Sequence, residues 1–173
     1  MPDDRIDVAL YEQDLAAWAM NQAAALRAAG KAIAAGGNQV VIPPESLDWE
    51  NLAEEIEDLA RRDRRELGSR LSSIVEHLAK LEFSPADSPR AGWAETVLRD
   101  REEIDAILRD SPSLRPILPT LLTERSDSAI RRAARSLALH GETAAAGAAS
   151  ARLGSGYQLD DVIGSWLPGD PQP

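Results

Sequence analysis

The sequence predicts an all-α protein, an irregular helical bundle built around one long, kinked helix over residues 48–82. Three observations carry that expectation. Apolar side chains recur at Leu52, Ile56, Leu59, Leu67, Leu71, Ile74, Leu78 and Leu81, in the three- and four-residue steps of one helix face. The start is punctuated: Asp48 suits an N-cap, and Leu47 and Leu52 have the spacing of a hydrophobic staple. The one β-branched run, Gln39 to Pro44, ends in two prolines and has no neighbouring strand to pair with.

Taken in order, Asp7 can cap a first helix reaching about Ala35, with Val8, Tyr11, Leu15, Trp18, Gln22, Leu26, Ala29 and Ile33 as its stripe. The alanines between them let a partner helix approach closely. Gly36-Gly37-Asn38 ends that helix, and the Gln39–Pro44 run reads as an ordered loop. In the long helix, Glu50, Glu54 and Glu55 suit the positive end of the dipole. The seam is interrupted at Asp63, and the four-residue steps from Leu59 to Leu71 make it drift around the axis. A bend is expected near Gly68. The run Arg61-Arg62-Asp63-Arg64-Arg65 reads as a self-neutralising face, because Glu57–Arg61, Asp58–Arg62 and Glu66–Arg70 are acid-to-base pairs four apart.

Ser84-Pro85 and Ser88-Pro89 break the chain. A helix from Gly92 or Trp93 to about Arg109 follows, with Trp93, Val97, Leu98, Ile104, Ile107 and Leu108 inward. Arg101 falls on the same side and is the expected partner of Asp63 or Glu66. Ser111-Pro112 opens a short helix through Leu114 to Leu122, strained by Pro116 and Pro119. Asp127 then starts an Ala/Arg-rich helix to about Ala149, interrupted at Gly141 and Gly147. A last helix is expected over 159–166. Residues 1–167 are expected to form one domain, and 168–173 a mobile tail.

Alanine supplies much of the 43% hydrophobic content, and aromatics are only 4%. The core is therefore thin, anchored by Trp18, Trp49, Trp93 and Trp166. A net charge of −10 and a pI near 4.7 lack the basic footprint of nucleic-acid binding and disfavour anionic membranes. With no cysteine, disulfides, thiolate catalysis and cysteine metal sites are excluded. No apolar run approaches the ~18 residues of a membrane span, and the first residues do not read as a signal peptide. The expected address is the cytoplasm.

His77 and His140 are the only imidazoles. His77, beside the seam, could join Asp14, Glu54, Glu55 and Asp58 in a carboxylate–histidine metal site. The repeated Glu-x-x-His signature is absent, however, and a histidine hydrogen-bonded within the bundle explains its position. His140, next to Gly141, suits a C-terminal cap. No serine sits in a G-x-S-x-G setting, and Gly154 and Gly156 follow no strand, so they make no phosphate loop. No catalytic, cofactor-binding or metal residue is assigned, and no cofactor is expected.

Tyr11-Glu12-Gln13-Asp14-Leu15 with Trp18, then LDWENLAEEIEDL, RRELGSRL, HLAKLEFSP, GWAETV and SPSLRP, together with the end from Leu159 to Pro168, resemble the bacterial domain of unknown function 29 family. The resemblance implies an almost wholly helical bacterial protein and transfers no catalytic role. It marks Asp14, Asn51, Glu54, Glu55, His77, Lys80 and Trp93; all of these but Trp93, together with Asp63 and Arg101 from the seam and its neighbour, form the candidate polar cluster. Leu81 to Pro85 stands where the family commonly has an aromatic and Gln-Pro, and Gly36 to Pro44 looks like an insertion. The expected role is a non-enzymatic helical bundle that binds another protein or a second copy of itself. The rival is an enzyme or metal-binding bundle using Asp14, Glu55, Asp63 and His77, with Arg101 as an anion clamp.

Overall fold

A computed structural model describes residues 8–35 and 49–169. The expected caps Asp7 and Asp48, the Leu47 staple, the Gln39–Pro44 loop and the final proline-rich residues lie outside them. The described residues form α1 (Val8–Gln13), α2 (Leu15–Ala34), α3 (Trp49–Phe83), α4 (Arg90–Asp110), a 3-10 segment (Pro112–Ile117), α5 (Leu118–Leu139), α6 (Thr143–Ser150) and α7 (Leu159–Ile163). The protein is all-helical as predicted, with no sheet among the described residues. Its dominant element is α3, 35 residues long, or about 50 Å at 1.5 Å per residue.

The chain divides into two compact units, and the division falls inside α3 and α4. The first unit holds α1, α2, α3 as far as Arg65, and Leu108–Leu114. The predicted single first helix is here two. At Asp14 the backbone turns extended, and the Asp14 carboxylate accepts from Ala17 N at 2.8 Å, so Asp14 caps α2. An aspartate favours that break because its side chain offers the first-turn amides the acceptor they lack. The buried face of α2 is Ala16, Ala19 and Ala23, not the larger stripe, and Tyr11 is exposed. On α3 the buried apolar residues of this unit are Ala53 and Ala60. The approach is close: a Cβ on Gly30 would lie 2.8 Å from the Trp49 Cβ. Arg27 ties the two helices by bonding Glu50 at 2.8 Å and Glu57 at 2.9 Å.

The second unit holds the rest of α3, α4 to Ile107, and everything from Arg115. Its core is made of large side chains: Leu67, Leu71, Ile74 and Leu78 on α3, Ile104 on α4, and Leu121 and Ile130 on α5 are all buried. The α3 helix runs unbroken through Gly68. There the missing side chain makes room for Arg125, whose Nε would sit 3.3 Å from a Cβ. Leu98, expected inward, is exposed on α4, while its neighbour Val97 is buried.

The expected helix start at Asp127 is not a start. α5 runs continuously from Leu118 to Leu139, with Pro119 in its first turn, where proline's missing N–H costs nothing. Pro116 lies in the preceding 3-10 segment. The break expected at Gly141 is present: His140 caps α5, its Nδ1 lies 2.7 Å from Ser136 O, and Gly141 takes φ +83°. Gly147 breaks nothing, since α6 continues through it. α6 closes a small cluster of Ala134, Leu137, Ala145 and Ala149, with Phe83 against it. The last helix is shorter than expected and ends at Ile163.

Candidate functional site

The first unit gathers two of the sequence-marked carboxylates on one short segment. Besides capping α2, Asp14 accepts from Ser113 N at 2.6 Å and from Ser113 Oγ at 2.9 Å. Ser111 Oγ accepts from Ala16 N at 3.2 Å and donates to Asp63 at 2.9 Å. Ser111 is fully buried, and Asp14 nearly so. Asp63 therefore interrupts the leucine seam for a reason: it receives a buried hydroxyl. The four residues tie the start of α2 and the middle of α3 to the turn after α4. With Ser111 sealed from solvent, the arrangement is a fastening between elements, in which each polar group has the partner its burial demands.

Asn51, Glu54 and Glu55 lie exposed on the first turns of α3. In the second unit, His77 is half-buried, with Nδ1 2.8 Å from Ser73 O, one turn back on its own helix. Lys80, buried, holds Glu76 at 2.7 Å. Glu76 also accepts from Arg132 Nε at 2.9 Å, and Arg132 reaches Ser72 Oγ at 2.7 Å. Burial opposes the Glu76 charge, but the Lys80 and Arg132 bonds outweigh it and hold the carboxyl below its ordinary range.

Arg101 does not meet Asp63 or Glu66. Glu66 is paired with Arg70 at 3.0 Å. Arg101 instead donates to three main-chain carbonyls: Val162 O, Asp161 O and Trp166 O, each at 2.8 Å. Helix α7 and the turn after it end with carbonyls that have no helical partner, and a forked guanidinium can satisfy several at once. Arg101 is 8% exposed, and burial lowers its pKa from the usual arginine range. Its neighbour Asp100 was not singled out in the sequence, yet it is 1% exposed. Arg70 and Arg99 hold it at 3.0 Å and 3.2 Å. The charge pattern of α4 alternates too often for that one carboxylate to stand out.

Asp14 and Asp63 thus share one fastening, while His77, Lys80 and Arg101 are each engaged separately. Among the described residues no three His, Cys, Asp or Glu side chains converge as a metal-ligand set. No helix there is long and apolar enough to cross a membrane.

Two features among the described residues stand apart from these fastenings. One is the exposed face of α3 in the first unit. Leu52 is 41% and Leu59 37% exposed. Glu55 and Arg62 follow each leucine by three residues, are exposed, and have no partner among the described residues. The other is a cleft of about 280 Å³ in the second unit, between one face of α5 and the turn leading into α7.

The family model described as domain of unknown function DUF29 matches residues 10–148. No curated protein and no solved structure matches the chain.

Proposed function

We propose that this chain, which belongs to the domain of unknown function DUF29 family, is a non-enzymatic interaction protein whose partner is a second copy of itself. The observation that carries this reading is the exposed leucine face of α3. Leu52 and Leu59 stand seven residues apart on one side of the helix, with half-buried Ile56 between them. A surface stripe of that period is what a helical partner uses.

Two further facts support it. Among the described residues, the buried apolar side chains of the first unit are mostly alanines, and each buried CH₂ or methyl contributes only about 0.8 kcal/mol. Burying Leu52 and Leu59 against a second surface adds larger side chains to that contribution. The charges also favour a self-complementary contact, since Glu54 and Glu55 precede Arg62, Arg64 and Arg65 along the same helix and none of the five has a partner among the described residues. Two copies of that stretch placed antiparallel set acid against base twice, as an isologous two-fold contact requires. The chain has no cysteine and a net charge of −10, which fits a reducing bacterial cytoplasm and no nucleic-acid partner.

Sedimentation equilibrium over a wide concentration range tests it. The expected result is a reversible dimer that Leu59→Glu weakens at least about tenfold, equivalent to 1.4 kcal/mol, with the helical circular-dichroism signal retained. A chain that stays monomeric at every concentration overturns the reading.

A further inference from the structure

The second unit carries a cleft that none of the fastenings above explains. One wall is a single face of α5: Pro119, Leu122, Thr123, Ser126 and Asp127 follow the three- and four-residue steps that align side chains on a helix. The other wall is the turn Gly154–Leu159. Gly154 and Gly156 take φ +83° and +58°, a left-handed conformation that suits glycine. Gly156 also comes so near α5 that an added Cβ would meet Ser126 Oγ at 3.3 Å. The turn is pinned from behind. Arg152 holds Glu82 at 2.6 Å, bonds Gly156 O at 3.2 Å, and lies 4.5 Å over the Tyr157 ring. Tyr157 gives its hydroxyl to Glu82 at 2.6 Å. The wall is therefore preformed, and that hydroxyl is already committed.

What the cleft leaves open is chemically defined. Ser126 is 7% exposed, lines the cleft, and its hydroxyl has no hydrogen-bond partner among the described residues. A buried helical serine ordinarily bonds back to the carbonyl four residues earlier, as Thr123 does to Pro119 O at 2.9 Å. Ser126 does not. Beside it, Asp127 accepts from Gly154 N at 3.1 Å and from Arg131 at only 3.4 Å. A carboxylate offers about four acceptor sites, so half its capacity is unused. Among the described residues no Lys or Arg lines the cleft, while Pro119, Leu122 and Leu159 give it an apolar portion.

We propose that this cleft is a binding site for a small organic amine, with the ammonium or N–H donor on Asp127 and Ser126 Oγ and the hydrocarbon part against Leu122, Leu159 and Pro119. An acid is disfavoured by the sign of Asp127, and a neutral alcohol forgoes the charge-assisted bond, which is roughly twice as strong as a neutral one. The volume lies near the lower limit of about 300 Å³ for ligand pockets, which sets the ligand size at a single ring or short chain.

Three isosteric probes test the claim on the isotopically labelled full chain by amide NMR titration: benzylamine, benzyl alcohol and benzoate. Benzylamine should shift the Ser126, Asp127 and Gly154–Gln158 amides saturably, with a Kd on the order of millimolar for so small a probe. Benzyl alcohol should bind several-fold more weakly and benzoate more weakly still. Asp127→Asn should remove the preference for the amine. Ser126→Ala, which deletes a hydroxyl that holds nothing in the fold, should weaken benzylamine several-fold while leaving the spectrum elsewhere unchanged. Shifts that map elsewhere, benzoate binding as tightly as benzylamine, or both variants binding like the parent chain would overturn the proposal. These outcomes are independent of dimerisation, which concerns the other unit.

Discussion

Asp14 performs three jobs with one carboxylate: it ends α1, caps α2, and holds the main chain and hydroxyl of Ser113. Losing an N-cap costs about 1 kcal/mol, and losing the partly buried bonds from Ser113 to a charged acceptor adds about 1–3 kcal/mol. Asp14→Ala should therefore lower stability by about 2–4 kcal/mol in urea unfolding, whereas Asp14→Asn should lose less because its amide oxygen still caps. Glu76 makes a different prediction. Its folded pKa is depressed, so its contribution is present above the ordinary carboxylate value of 4.5 and disappears as pH falls through the lower folded value. Acid titration of unfolding free energy should show that loss, and Glu76→Gln should flatten it; an unchanged slope would place the acid sensitivity elsewhere. Asp14 and Asp100 illustrate what a sequence hides. Asp14 was marked, but not as a helix break, since its true partners lie about a hundred residues away. Asp100 carried no local signal at all, because its burial is made by Arg70 from a separate helix.

At the scale of elements, α3 shows where pattern reading succeeds and where it turns aside. From Leu67 to Leu81 the predicted seam is the buried face. Before Leu67 the steps of four rotate the large residues around the axis by about 40° each, a step of four being longer than the 3.6-residue turn. Leu59 and Leu52 are thereby carried into solvent. The buried line continues instead through Ala60 and Ala53, spaced by sevens from Leu67. Alanines are too common in this chain for that line to be read without its neighbour α2. The small residues matter in their own right: Gly30 brings α2 against Trp49. Gly30→Ala would gain helix propensity worth about 1 kcal/mol but force an overpacked contact costing about 1–3 kcal/mol. The expected outcome is a lower melting temperature; a higher one would mean the helices separate freely. At α5, by contrast, the Ser126-Asp127-Ser128 cluster resembles a helix start but lies inside a helix, with Ser126 lining the cleft, Asp127 bonding Arg131 and Gly154, and Ser128 bonding back to Arg125 O.

For the whole molecule, a charge of −10 on each chain repels a second copy at long range, so any self-contact has to be local and complementary. The first half of α3 meets that condition, its acids leading and its bases trailing. Helicity and family membership were legible in the sequence; the proposed self-contact on α3 was not, because it rests on Leu52 and Leu59, which the periodicity assigns to the core. The most direct test is a charge-swap cycle on that surface, read by sedimentation equilibrium. Glu55→Arg and Arg62→Glu should each weaken the dimer, since each sets like charges opposite one another across the two-fold axis. The two swaps together should restore it. A double variant that associates no better than either single one, or single variants that associate like the parent chain, would contradict an antiparallel α3 contact.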